Sequence, residues 1–203
     1  MFHTIAIVDY GMGNLRSVQK AFEKIGIDCI ITNNHDVIKN ASKIVLPGVG
    51  AFKDAMNNLA ELGLIDLLNQ EVLVKKKHFL GICLGMQLIA QKSYEFGETT
   101  GLGWIDAEVV KFPQTNLKVP HVGWNNVHFI SQSKLFTNIP EDTDFYFVHS
   151  YYFQSQENVT TAHCEYGIDF SCAIQKENIF AVQFHPEKSQ TYGLELLKNF
   201  ANL

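Results

Sequence analysis

The sequence predicts an α/β protein, with a mainly parallel central sheet covered on both faces and antiparallel strands appended to it. Three observations carry this. Short apolar runs alternate with amphipathic segments through the first half. The second half changes to alternating, aromatic-rich runs separated by turn residues. No Pro- or Ser-rich linker, repeat or low-complexity stretch interrupts either half, so residues 1–203 read as one domain.

The elements follow in order. The N-terminal segment through Asp9 reads as a first strand, its apolar heart at Ile5 to Val8. Residues 14–25 place Leu15, Val18, Phe22 and Ile25 at helical spacing. A second strand is expected at 28–32 and a third at 44–46, stopped by Pro47-Gly48. Helical patterns occupy 52–59 and 64–74, and a fourth strand spans 79–82. Further strands are expected at 119–129, 145–152, 160–166, 170–175 and 180–185, read as antiparallel, before a closing helix at 193–202.

Composition narrows the function classes. At 203 residues, 46% apolar, the chain is of ordinary globular make-up. A net charge of -5 argues against coating nucleic acid, which needs clustered Lys and Arg. The one basic run, Lys75-Lys76-Lys77, reads as a solvated helix end. No apolar run has the length to cross a bilayer, and the N-terminus lacks a signal-peptide pattern, so a cytoplasmic protein is expected. The four cysteines, Cys29, Cys83, Cys164 and Cys172, form no C-x-x-C pair and read as free thiols.

Only Cys83 has a chemical context. Gly81-Ile82-Cys83-Leu84-Gly85 follows a strand and opens a helix, the G-x-C-x-G form of a nucleophile elbow. The turn is so tight that its flanks must be tiny, and it lifts the thiol above the carboxyl edge of the sheet. The helix N-terminus behind it favours thiolate. A base is expected in Gln183-Phe184-His185-Pro186-Glu187, where extended chain would set His185 and Glu187 on one side. An oxyanion hole needs backbone donors, and the amide of Leu84 with those of Val49 and Gly50 in Leu46-Pro47-Gly48-Val49-Gly50 supplies candidates. Gly11-Met12-Gly13-Asn14-Leu15-Arg16 fails as a dinucleotide fingerprint, because Arg16 stands where glycine is required. His3, His35, His78, His121, His128, His149 and His163 form no paired ligand pattern, so no metal is assigned.

On these residues the chain resembles the class I glutamine amidotransferases over nearly its whole length. Four segments narrow the resemblance: Asp9 to Val18, Leu46 to Phe52, Val119-Pro120-His121-Val122-Gly123-Trp124-Asn125, and His185 to Ser189. The first and third are the more specific, and resemble glutaminase subunits serving a cyclase in histidine biosynthesis. The resemblance implies a Cys83, His185, Glu187 triad on a flavodoxin-like three-layer sandwich, with glutamine as substrate and no cofactor. It implies substrate contacts from Gly50, Gln87 and the segment His149-Ser150-Tyr151. It also implies a heterodimer with a (β/α)8-barrel cyclase, Asn14, Trp124 and Lys188 lying towards that partner. Gln190 departs from the pattern, a smaller residue being expected after Ser189.

The expected chemistry is attack by Cys83 on the carboxamide, a γ-glutamyl thioester, and hydrolysis assisted by His185 with Glu187 orienting it. Gly48 and Gly50 would let a peptide unit flip and gate the oxyanion hole. The competing readings are a paralogue supplying ammonia to another acceptor, such as an amidinated surface sugar; a non-catalytic interaction subunit; and a peptidase or esterase sharing the elbow. No triad member is missing, which speaks against the second.

Overall fold

The structure is a computed structural model that describes residues 4–113 and 117–203. Met1, Phe2 and His3, part of the expected first strand, lie outside the described residues. At the centre, β1 (Ile5–Val8), β2 (Cys29–Thr32), β3 (Lys43–Gly48), β4 (His78–Cys83) and β13 (Ile179–Val182) run parallel in the order β2-β1-β3-β4-β13. β1 and β13 are buried along their whole length, and so they read as unbroken apolar runs.

Successive residues of β1 serve opposite faces. Ala6 and Val8 enter one core, which takes α2 (His35–Asn40), α3 (Phe52–Glu61) and α4 (Leu64–Leu68) through Ile38, Phe52, Leu59 and Leu64. Ile5 and Ile7 enter the other, with α1 (Leu15–Lys24) and α6 (Gln190–Ala201) through Val18, Phe22, Leu197 and Phe200. Each fully buried Phe contributes about 1.5–3 kcal/mol by leaving water. The result is a flavodoxin-like three-layer sandwich whose ligand-binding edge lies at the strands' carboxyl ends.

Past β4 come α5 (Leu84–Leu88), β5 (Ala90–Ser93), β6 (Thr99–Thr100), β7 (Ile105–Lys111), β8 (His121–Phe129), β9 (Thr143–His149), β10 (Tyr151–Ser155), β11 (Thr160–Glu165) and β12 (Asp169–Lys176). β12 pairs antiparallel with β13 and extends the sheet through β10, β7, β5 and β6; a branch leaves β12 through β11 and β8 to β9. α2, β5, β6 and β7 were not expected from the sequence.

Several expectations need correction. The strand read at 180–185 joins the parallel core, lying between β4 and β12. The run 145–152 breaks at Ser150 into β9 and β10, which sit in different parts of the sheet. β3 does not stop at Pro47: Pro47 and Gly48 pair with Ile82 and Cys83. β1 accompanies β3 only as far as Val45, so the missing N–H of Pro47 costs no bond to that neighbour. α4 gives way to a π-helical turn, Asn69–Val74. The basic run after it is more than a solvated end: Lys75 and Lys77 clamp the buried carboxylate of Glu71 at 2.7 and 3.0 Å. Lys77 also donates to the carbonyls of Ile38 and Lys39 in α2's last turn.

Candidate active site

Cys83 ends β4 with φ 54° and ψ −107°, a conformation that costs a residue other than glycine about 1–3 kcal/mol. The flanking glycines let the chain make that bend. A Cβ on Gly81 would stand 2.7 Å from Gly85 O, and one on Gly85 would overlap Leu46 O of β3. Strand and helix therefore approach closer than side chains permit, and the thiol emerges at the sheet edge. α5 has only five residues, so its dipole is weaker than the sequence reading supposes. All four cysteines are free thiols.

β13 brings the second component. Val182 is in register with Ile82, so the chain leaving β13 passes Cys83 and reaches His185, which is fully buried. Glu187 does not meet His185 through extended chain, as the sequence reading supposes. Pro186–Lys188 forms a 3-10 turn that folds Glu187 back, and His185 Nδ1 donates to its Oε1 at 2.7 Å. Asn14, held in a left-handed conformation before α1, donates Nδ2 to the same oxygen at 2.7 Å. Nε2 of His185, buried and without a hydrogen-bond partner among the described residues, is left for the thiol. Burial pulls the imidazole's pKa down, but charge interaction and hydrogen bonding with Cys83, then with Glu187, raise it further, to about 10.

A cavity of about 350 Å³ opens over Cys83 and Leu84. Its walls include Val49, Gly50 and Gln87, with His149, Ser150 and Tyr151 from the β9–β10 break, so the predicted oxyanion and substrate residues share one space. Gly50 has φ 117°, and a Cβ there would lie 2.8 Å from Met12 Cε. Gly48 is needed for a different reason than rotation: a Cβ would overlap the Tyr10 hydroxyl, which donates to Pro47 O at 2.9 Å. Burial, and then the nearness of Cys83, keep that phenol protonated well beyond its usual range. Gln87 donates Nε2 to Tyr151 O and to Gln183 Oε1, both at 3.0 Å. His149 donates Nδ1 to Tyr151 O at 2.8 Å, and burial lowers its pKa to about 3.

Trp124 on β8 lies outside this cavity, 47% exposed, and Lys188 sets its ammonium 5.9 Å from the Tyr146 ring centroid. Gln190 adopts φ 52°, a backbone setting where a glycine-like residue would be less strained. The sequence reading missed Glu95, which lines the cavity and accepts Phe52 N–H at 2.6 Å. No motif marks it. It also missed the pairing of His121 with His149 at 3.0 Å, made across the β8–β9 ladder. Gln183 carried a usable signal, being one polar residue between apolar β13 and Phe184, and it is wholly buried.

Residues 6–203 match the family model for glutamine amidotransferase class-I. Imidazole glycerol phosphate synthase subunit HisH 1 of Campylobacter jejuni is 53% identical over 200 residues, covering 98% of this chain and all of that protein. Subunit HisH 2 of Methanococcus maripaludis is 50% identical, over 97% of this chain and 98% of its own. Among solved structures, PurLQS from Thermotoga maritima superposes with a TM-score of 0.77 at 17% identity, over all of this chain and 99% of that one, a likeness of fold. The chain belongs to the class-I glutamine amidotransferases and, within them, to the glutaminase subunits of imidazole glycerol phosphate synthase.

Proposed function

We propose that Cys83, His185 and Glu187 carry the glutaminase reaction, and that the ammonia released passes to a cyclase subunit for histidine biosynthesis. One observation supports this above the others: a strained thiol and a buried imidazole, the latter braced by a carboxylate, meet beside a cavity of about 350 Å³. Cys83 Sγ attacks the carboxamide carbon of glutamine. The amide of Leu84, with that of Val49 or Gly50, receives the oxyanion. His185 gives its Nε2 proton to the departing ammonia, leaving a γ-glutamyl thioester. The same nitrogen then takes a proton from water, and glutamate is released. Glu187, held by Asn14, keeps the ring in one tautomer throughout. Glu95 and the Oε1 of Gln87 suit the substrate's ammonium, and the backbone of Ser150 and Tyr151 its carboxylate. These steps close without a cofactor.

Ammonia in water at neutral pH is mostly ammonium, which has no lone pair to attack with. A sheltered handover to a (β/α)8-barrel partner follows, with Asn14, Trp124 and Lys188 on the side of that partner. The setting is cytoplasmic, and residues 1–203 act as one domain. Gly50, rather than Gly48, is the position whose peptide turns to complete the hole once the partner is loaded. A glutaminase assay on wild type and Cys83→Ala, with and without the cyclase, tests the reading. A loss of at least about 10³-fold in the variant is expected. Retained activity would end the proposal.

A further inference from the structure

We propose that Gln183 is a positioning residue for Cys83, its side-chain N–H aimed at the sulfur by a hydrogen-bond chain whose direction the Tyr151 carbonyl sets through Gln87. This rests on Cys83 being the nucleophile. Gln183 Nε2 lies 3.6 Å from Cys83 Sγ, and neither residue is appreciably exposed. The backbone of Gln183 is pinned by its N–H to Cys172 O at 2.8 Å, so only the amide's orientation remains to be set.

That orientation follows from neighbouring acceptors. Tyr151 O can only accept, so Gln87 must present Nε2 to it. The same NH₂ reaches Gln183, which must therefore turn Oε1 towards Gln87. A flipped Gln183 would set donor against donor. Its own NH₂ is left for the sulfur, and a donor on a sulfur favours thiolate.

The histidine pair on the other side of Tyr151 O is also determined. Asn125 Nδ2 donates to Glu165 O at 2.9 Å, so the His121 Nε2 that it also meets, at 3.2 Å, must be unprotonated. His121 then carries its proton on Nδ1 and gives it to His149 Nε2, 3.0 Å away. His149 is left with Nδ1–H for Tyr151 O. The tautomers deduced from Glu165 agree with those that Tyr151 O demands. Burial holds both rings neutral, with pKa lowered to about 4 at His121 and about 3 at His149. Two donor chains thus converge on Tyr151 O, one from Asn125 beside the exposed Trp124 and one from the Gln87 that orients Gln183.

The test is the pH dependence of Cys83 alkylation by iodoacetamide, read by peptide mass spectrometry. The full-length chain is used, alone and with its cyclase subunit. Titratable groups around the sulfur are His185 and Glu187 after β13, Tyr10 after β1, His149 ending β9, and Glu95 between β5 and β6. They are common to every arm. Gln183→Met, which removes the donor, is expected to move the alkylation midpoint up by about one unit and lower kcat about tenfold with KM little changed. Gln183→Glu keeps the shape but turns a carboxylate on the sulfur, and is expected to move the midpoint further. It decides the matter if Gln183→Met does not fold. Midpoints equal to wild type in a folded variant would overturn the role of Gln183. Failure of glutamine to protect Cys83 in the wild type would instead overturn Cys83 as nucleophile.

Discussion

His185 and His149 are both buried imidazoles beside the cavity over Cys83, and they are driven to opposite charge states. His185 faces a thiol on one nitrogen and Glu187 on the other, and is raised to about 10. His149 faces a neutral imidazole and a backbone carbonyl, and is lowered to about 3. Burial alone pushes both down; only the site with anionic partners overcomes it. The contrast teaches that a histidine's role here is set by what its second nitrogen meets. On the proposed mechanism one ring moves a proton and the other keeps one in place.

The most severe way to break the comparison is to remove each ring in turn. His185→Asn is expected to lower kcat by roughly 10³-fold or more, because acid and base are lost together. His149→Asn should stay within about tenfold of wild type in kcat while raising KM, since only the substrate segment is disturbed. Comparable kcat losses in a steady-state assay would erase the distinction.

A smaller effect is expected at Asn14. Asn14→Ala withdraws one of the two donors on Glu187 Oε1, and kcat should fall about tenfold. Unchanged kinetics in the complex would mean that the 3-10 turn alone positions the carboxylate.

The mildest test uses stability. For His185, raised above the ordinary 6.5, stabilisation is complete below pH 6.5 and is lost as pH climbs towards 10. For His121 and His149, lowered from 6.5, stabilisation is complete above that value and is lost as pH falls towards about 4 and 3. Melting temperature should therefore decline on both sides, by about 2–4 °C per kcal/mol lost. Cys83→Ala should flatten the alkaline limb alone, and His121→Phe should soften the acid limb alone. A scanning-calorimetry series in which either variant changed both limbs equally would contradict these assignments.

Much of the fold was legible because β1, β3 and β4 are apolar and the first two are each followed by a helix with one buried face. The elbow was legible because Gly81 and Gly85 are dictated by backbone contacts only a glycine survives. What stayed hidden depends on long-range placement. β13 is a four-residue apolar run set among aromatic-rich strands, so its parallel pairing with β4 could not be read locally. Glu95 sits in a turn of no special composition and gains meaning only where β5 ends beside α3. His121 and His149 lie far apart in sequence, and their pairing is made by the β8–β9 register. The helical approach of Glu187 was misjudged because Pro186 opens a 3-10 turn in place of continuing the extended chain.

β13 is inserted between β4 and β12, and it comes 100 residues after the strand that bears the thiol. A growing polypeptide thus holds an unassisted sulfhydryl for about 5–20 s at ordinary speeds of translation before its imidazole even exists. On the proposed mechanism, unfinished or prematurely terminated copies squander no nitrogen, because competence arrives only when the sheet is zipped shut.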